Sequence, residues 1–278
     1  MINWVNNNGE IVAVDSLSIG SENRAFKYGD GVFDTIKLKE ATLLFLEDHY
    51  FRLMSSMRMM RMRIPMNFTL EFYEDQIRKT LEANDLNNDA RIRVNVFRKD
   101  GGLYTPETNE VDFLIEVKEL KNKSLGLVEV ELYKDFPISS GLFSTIKTNN
   151  RMLNVLASIF SKENGFQNCL LINEKKELVE GINANVFLIK GQEVFTPALE
   201  SGCINGIVRK KLITLLEKSE NFQINQASIS PFELLKADEV FLTNSIQDII
   251  SVDKYRKKTY KKQKTLEIQE LFHNLSAK

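Results

Sequence analysis

Lys147 stands in "FSTIKTNNRMLNVLAS" (143–158). It follows a β-like segment from Phe143 to Ile146 and precedes a polar Thr-Asn-Asn-Arg run that opens onto Met152, Leu153, Val155, Leu156 and Ala157 at helical spacing. A free lysine amine, with a pKa of about 10.4, is a poor nucleophile. Partly buried beside other cations it sheds its proton more readily, and the neutral amine can form a Schiff base with a carbonyl. The alternative is an ordinary solvated lysine. Four other places carry groups of a matching kind. Glu180, in "ELVEGINANVF", closes a short strand beside a glycine. It is either a turn residue or an anion that keeps a ring nitrogen protonated. Arg52, in "HYFRL", either clamps an oxyanion through two parallel hydrogen bonds or snorkels to solvent. "NGIVRKKL" (205–212) opens a helix whose first N–H groups suit an anion, unless Asn205 simply caps it. "LTNSIQD" (242–248) ends a buried strand on Thr243, Asn244 and Ser245, donors suited to an oxyanion or to a turn.

The elements that must position these groups alternate between strands and helices. "EIVAVDSLSI" and "GVFDTIKLKEATLLFL" read as strands. In "LEDHYFRLMSSMRMMRMRI" the stripe Leu53, Met57, Met60 marks a helix, with Arg58 and Arg61 off the stripe. Its methionines read as core filling, not as a soft ligand cluster. "TLEFYEDQIRKTLEANDL" is a second amphipathic helix, and "ARIRVNVFRKDGG" is a strand ending in a turn. Polar "ELKNKSLG" marks a boundary, giving an N-terminal domain over 1–120, a linker at about 121–125 and a C-terminal domain over 126–278. The second part offers "LVEVELYKDF", "NCLLIN", "ELVEG", "NVFLIK", "EVFTP" and "DEVFLTNS" as strands and "IVRKKLITLLEKS" as a helix. The fold class is α/β.

Composition excludes several functions. The chain has 278 residues, 43% hydrophobic and 27% charged, with a formal net charge of −1. That balance gives no global pull towards nucleic acid or an anionic membrane. The basic run "KYRKKTYKKQK" (254–264) is read as a solvated hairpin, not a nucleic-acid patch. Two cysteines, Cys169 and Cys203, give no disulfide framework, so a reducing, cytoplasmic setting is expected. The N-terminus does not resemble a signal peptide, and no apolar run reaches the ~20 residues that span a bilayer. The only histidines, His49 and His273, lie far apart and outside any zinc or H-E-x-x-H spacing. No metal site is expected.

Six blocks taken together resemble the class IV aminotransferases, the fold-type-IV pyridoxal phosphate enzymes. They are "FKYGDGVFDTIKL" (26–38), "HYFRL" (49–53), "IKTNNRMLNVL" (146–156), "ELVEGINANVFLI" (177–189), "VFTP" with "GCINGIVR" (194–209), and "ADEVFLTNSIQDI" (237–249). The resemblance implies a two-domain architecture with a small N-terminal α/β domain and a larger C-terminal one. It also implies pyridoxal 5'-phosphate as cofactor between them, and a homodimer. It makes Lys147 the Schiff-base lysine and catalytic residue, Glu180 the partner of the pyridine nitrogen and Arg52 the phosphate-clamping arginine. The backbone of Ile207 and Val208, with Ser245 and the backbone of Ile246, completes the phosphate cup. Many relatives carry threonine where this chain has Val208, so one hydroxyl contact is missing.

For the substrate side the implied residues are Phe33, Thr35 and Arg98, with Arg98 taking a substrate carboxylate; its alternative is a strand-surface ion pair. The activity implied is transfer of an amino group between an amino acid, including branched-chain ones, and a 2-oxo acid. The alternative is 4-amino-4-deoxychorismate lyase, which forms 4-aminobenzoate and pyruvate. Thr35, Asn150-Arg151 and "RKDGG" resemble that lyase, although Leu103 stands where it has an arginine. A D-amino-acid enzyme has tyrosine at the position of Phe33. A non-catalytic cofactor-binding protein is the remaining alternative.

Overall fold

The computed structural model describes residues 3–120 and 126–276. The expected linker at about 121–125 lies outside the described residues. Two compact units divide the chain, one of Met1–Asn122 with Lys147–Asn150 and one of Lys123–Ile146 with Arg151–Lys278.

In the first unit, β1 (Trp4–Asn7) and β2 (Glu10–Ala13) form a hairpin, followed by the short helix α1 (Arg24–Tyr28), β3 (Gly31–Lys39) and β4 (Thr42–Leu43). Helices α2 (Leu46–Met59) and α3 (Leu70–Ala83) precede β5 (Ala90–Arg98) and β6 (Val111–Glu119). The six strands make one sheet in the order β2-β1-β6-β5-β3-β4, every pair antiparallel. β5 shows why a strand forms here: its burial alternates residue by residue from Ala90 to Arg98. That period of two suits a sheet with one packed face. Ile92, Val94 and Val96 of β5 pair with Ile36, Asp34 and Val32 of β3 and are buried. α2 buries His49, Leu53, Met54, Ser56 and Met57, so Met54 and Met57 are core residues, while Met59 at its end is exposed. α3 starts where the Thr69 side chain accepts a hydrogen bond from Phe72 N at 3.2 Å, a conventional N-cap.

In the second unit, β7 (Glu129–Ile138) leads to a 3₁₀ turn over Leu142–Thr145, then to α4 (Met152–Glu163), β8 (Asn168–Asn173), β9 (Leu178–Gly181), β10 (Asn185–Lys190) and β11 (Glu193–Pro197). Next come α5 (Ile207–Leu216), β12 (Gln223–Ala227), α6 (Glu233–Lys236), β13 (Glu239–Asn244), β14 (Asp248–Ser251), β15 (Lys254–Tyr255), β16 (Lys258–Thr259) and α7 (Gln263–Ser276). Two five-stranded sheets result, β12-β11-β10-β13-β14 and β16-β15-β7-β8-β9. Phe187 of β10 and Phe241 of β13 are register partners, and their rings stack at 4.8 Å and 4°. The basic run is the β15–β16 hairpin, where Lys254, Arg256 and Lys262 pair with Glu129, Glu131 and Asp253.

Two local expectations change. The segment before Lys147 is not β-like: the hydroxyls of Ser144 and Thr145 donate back to the carbonyls of Gly141 and Leu142 at 2.6 and 2.7 Å and tighten it into the 3₁₀ turn. On α4 only Leu153, Leu156, Ala157 and Phe160 turn to the core, because the apolar residues run round more than one face. Met152, Val155 and Ile159 are exposed.

Replacing Ile92, fully buried in β5, by alanine should cost about 2–5 kcal/mol. Urea unfolding followed by circular dichroism should show a lower midpoint for the first unit.

Candidate active site

The first unit holds Lys147 by strand pairing, although 147–150 are far in sequence from that sheet. Phe33 N donates to Lys147 O at 2.9 Å and Asn149 N to Gly31 O at 2.8 Å, while Val32 and Thr148 form an antiparallel bridge. Gly31 is required there, since a Cβ would run into the Asn149 side chain and the Val96 carbonyl. So anchored, the half-buried Lys147 sets its Nζ 4.7 Å from the centroid of the Phe33 ring. The Arg93 guanidinium lies 3.8 Å from the same centroid. Burial lowers the Arg93 pKa, opposed by the charge of Glu116, and the side chain stays cationic at neutral pH. Thr35 is the register partner of Arg93, and Phe33 of Asn95, so Phe33, Thr35 and Arg93 share one face of the sheet.

Asp34 points to the other face, under α2. Its carboxylate is 1% exposed and accepts from Thr35 N at 2.7 Å, from His49 Nδ1 at 2.8 Å and from Arg52 Nε at 3.2 Å, with Arg52 Nη2 on Oδ1 as well. Burial by itself would raise this carboxyl, but the charges of Arg52 and His49 outweigh it and hold it well below the usual carboxylate range. Neither Asp34 nor His49 emerged from sequence reasoning. The available signal was spacing: His49 and Arg52 sit three apart on one helix, facing the alternate residues of the neighbouring strand.

Arg98 sits in a different setting. Only 6% exposed, it donates to Asp30 Oδ2 at 2.9 Å, to the Met60 carbonyl at 2.8 Å, to the Arg61 carbonyl at 3.4 Å and to Asn109 Oδ1 at 2.5 Å. Asp30 also takes Arg24 Nε at 2.9 Å, and Arg24 Nη1 holds the carbonyls of Gly101 and Leu103 at 3.0 and 2.6 Å. The guanidinium of Arg98 thus ties the loop ends together. Arg93, not Arg98, shares a face with Phe33 and Thr35.

The second unit gathers the other candidates. Glu180, 5% exposed on β9, accepts from Ile204 N at 2.8 Å. The Ile204 carbonyl accepts from Asn185 Nδ2, also at 2.8 Å. Three residues later α5 begins at Ile207, with Gly206 as N-cap and no side-chain cap, so Asn205 does not cap it. A Cβ on residue 206 would meet Asn185 Oδ1, so a larger residue there would have to displace the Asn185 side chain. Ile207 and Val208 are buried, whereas Ser245 and Ile246 are half-buried in the turn after β13. The buried Thr243 Oγ1, at the end of that strand, has no hydrogen-bond partner.

The chain's relatives fit this geometry. The family described as amino-transferase class IV matches residues 31–255. The chain belongs to that family. It is similar to a probable branched-chain-amino-acid aminotransferase of Aquifex aeolicus, 28% identical over 88% of this chain and 81% of the relative. It is also 28% identical to the aminodeoxychorismate lyase of Vibrio harveyi, over 83% of this chain and 84% of that one. Its fold matches the branched-chain amino acid aminotransferase of Thermobaculum terrenum in its PLP form with a TM-score of 0.85 and 20% identity, over 99% of this chain and 94% of that one. Membership makes the chain an enzyme, of the α/β two-unit fold that the sequence resemblance implied. Among the described residues no helix is long and apolar enough to cross a membrane.

The depressed Asp34 pKa has a testable consequence. A group whose folded pKa lies below its unfolded one contributes stability above the unfolded value, near pH 4 for aspartate, and loses it as pH falls. The urea midpoint of the wild type should therefore decline from about pH 5 downwards, and Asp34→Asn should start about 3 kcal/mol lower with a flatter acid limb. Arg98→Gln should lower thermal stability and leave substrate KM unchanged.

Proposed function

We propose that this class IV enzyme is a pyridoxal 5'-phosphate-dependent aminotransferase moving an amino group between an amino acid, branched-chain ones included, and a 2-oxo acid. The observation that carries the proposal is the strand-pinned Lys147 with Nζ and the Arg93 guanidinium against one phenyl ring.

The residues fit the cofactor. An unpartnered buried hydroxyl on Thr243 and a helix start preceded by Gly206 with no side-chain cap are what a phosphate cup needs. In this reading the backbone of Ile207, Val208 and Ile246, the Ser245 hydroxyl and Arg52 would hold the phosphate. Glu180 would face the ring nitrogen, and Lys147 the aldehyde carbon. Bound there, pyridoxal phosphate supplies an electron sink for bond breaking at the amino acid's Cα. Lys147 Nζ would take up the amino acid's Cα proton and later release it, acting in turn as general base and general acid. Glu180 is buried, and its carboxylate would favour the protonated form of that nitrogen. Arg93 takes the substrate carboxylate, in preference to the fully engaged Arg98, and Phe33 and Thr35 line the same face. Burial of the free thiols Cys169 and Cys203, the latter pushed up to about 12 by burial above all, accords with a reducing compartment. The homodimer belongs to the same proposal: Met152, Val155 and Ile159, 65%, 50% and 47% exposed along α4, offer an apolar stripe to a second copy.

The lyase remains the second reading, supported by a relative of equal identity. It is separated by its products, since the lyase releases pyruvate from aminodeoxychorismate without any 2-oxo acid.

Purified protein mixed with single L- or D-amino acids should convert its aldehyde-form absorbance band to the amine form, and Lys147→Ala should abolish the conversion. Full turnover in that variant would sink the assignment. Arg93→Met should raise KM for amino acid and 2-oxo acid by about 10-fold or more, with a smaller effect on kcat. A unchanged KM would remove Arg93 from the carboxylate site. Light scattering should give twice the chain mass.

A further inference from the structure

The carboxylate of Asp34 has more partners than a fold-stabilising ion pair needs, and they are arranged unevenly. Three donors besides Arg52 Nε converge on it: Thr35 N, His49 Nδ1 and Arg52 Nη2. An ionised carboxylate only accepts, so His49 must carry its proton on Nδ1 and cannot point that nitrogen elsewhere. Asp34 is thereby fixed on β3, at the closed end of the pair, with 1% of its side chain exposed against 13% for Arg52. His49, on the helix, is equally buried at 1%, so of the three only Arg52 reaches towards solvent.

A single arginine on α2 would otherwise have four rotatable bonds to order whenever it met an anion, at a cost in rotamer entropy. Asp34 engages the Nε–Nη2 edge of the guanidinium. A planar guanidinium held in a fixed orientation is pre-organised for recognising a phosphate. Tyr73, buried on the same side with its hydroxyl unpartnered, feels the Asp34 charge: burial first, then Asp34, push its pKa well up. It stays a neutral neighbour that adds no competing anion.

We propose that Asp34, locked by His49, is a positioning residue that sets Arg52 for the phosphate and so determines how strongly this enzyme prefers the phosphorylated cofactor over its phosphate-free form. The inference rests on the cofactor reading above and adds to it the two residues behind the clamp. It separates them from groups that touch the ring: Asp34 acts only through Arg52, so only the phosphate-dependent part of binding should respond.

The test compares two ligands on the full chain stripped of cofactor. Dissociation constants for pyridoxal 5'-phosphate and for pyridoxal are measured by absorbance and fluorescence titration in wild type, Asp34→Asn, Asp34→Glu, His49→Gln, Arg52→Gln and the Asp34→Asn/Arg52→Gln pair. Asp34→Asn should weaken pyridoxal phosphate by about 10-fold or more and leave pyridoxal within about twofold. Arg52→Gln should lose the same preference, with no further loss in the double variant, as expected of residues acting in one chain. His49→Gln should fall between wild type and Asp34→Asn, and it carries the test with Asp34→Glu if Asp34→Asn does not fold. Equal weakening of both ligands, or an undiminished preference in these variants, overturns the inference and leaves the cofactor reading standing. A wild type that shows no preference, with no pyridoxyl group on Lys147 after borohydride reduction and peptide mapping, overturns both.

Discussion

Two backbone hydrogen bonds, Phe33 N to Lys147 O and Gly31 O from Asn149 N, are the constraint on which the candidate site depends. They carry a polar tetrapeptide back onto the first sheet, so that the lysine is placed by a strand and not by the helix that follows it in sequence. The same strand then does two opposed jobs through its period of two. Phe33 and Thr35 go to the face that meets Lys147 and Arg93, and Asp34 goes to the face that meets α2. A register slip of one residue would exchange these sets and bury an aromatic where a carboxylate is needed. The nine-residue pairing of β5 with β6 and the eight-residue pairing with β3 make such a slip costly.

The second unit solves a different problem, that of fixing a buried carboxylate and a helix N-terminus together. Ile204 does both with its backbone, donating to Glu180 and accepting from Asn185. Asn185 in turn crowds residue 206, so the carboxylate, the turn and the first amides of α5 share one hydrogen-bonded network. A buried anion is tolerated only when its lone pairs are met, and here the group meeting them also sets the direction of the helix. Cys203, which donates to the carbonyls of Pro197 and Ala198 at 3.6 and 3.7 Å and whose thiol burial keeps neutral, packs that turn and takes no part in its chemistry.

The long elements were legible because their hydrophobic periods are clean: α2, α3 and β5 follow from sequence, as do Lys147, Glu180 and Arg52 as groups of interest. What was not legible has a common physical origin. The Asp34–His49–Arg52 contact joins residues 15 and 18 apart, and its members matter only as a set, so none stands out alone. A lone histidine on an amphipathic helix reads as filler until the strand opposite it is known. The 3₁₀ turn before Lys147 escaped because β-branched and aromatic residues favour strands, while two hydroxyls bonded to their own backbone outweigh that preference. β14, beginning at a left-handed Asp248, is too short for pattern reading. The apolar residues of α4, read at helical spacing, do not by themselves show which of its faces is covered.

Parity on a single strand decides between the arginines. Positions 93 and 98 of β5 differ by an odd number, so in a regular strand they must project to opposite faces. Arg93 can therefore share a face with Phe33 and Thr35, and Arg98 cannot. Arg98 instead enters the buried layer with Ile92, Val94 and Val96, where an unpaired guanidinium would be untenable; Asp30, Asn109 and two backbone carbonyls answer its donors. The rim loop Gly101–Tyr104 is held from the same carboxylate through Arg24, which leaves the exposed Leu103 and Tyr104 on a braced support. The two faces of β5 thus do different work. The face bearing Arg93 supplies charge, and the buried face, through Arg98, supplies the rigidity of the loop at its end.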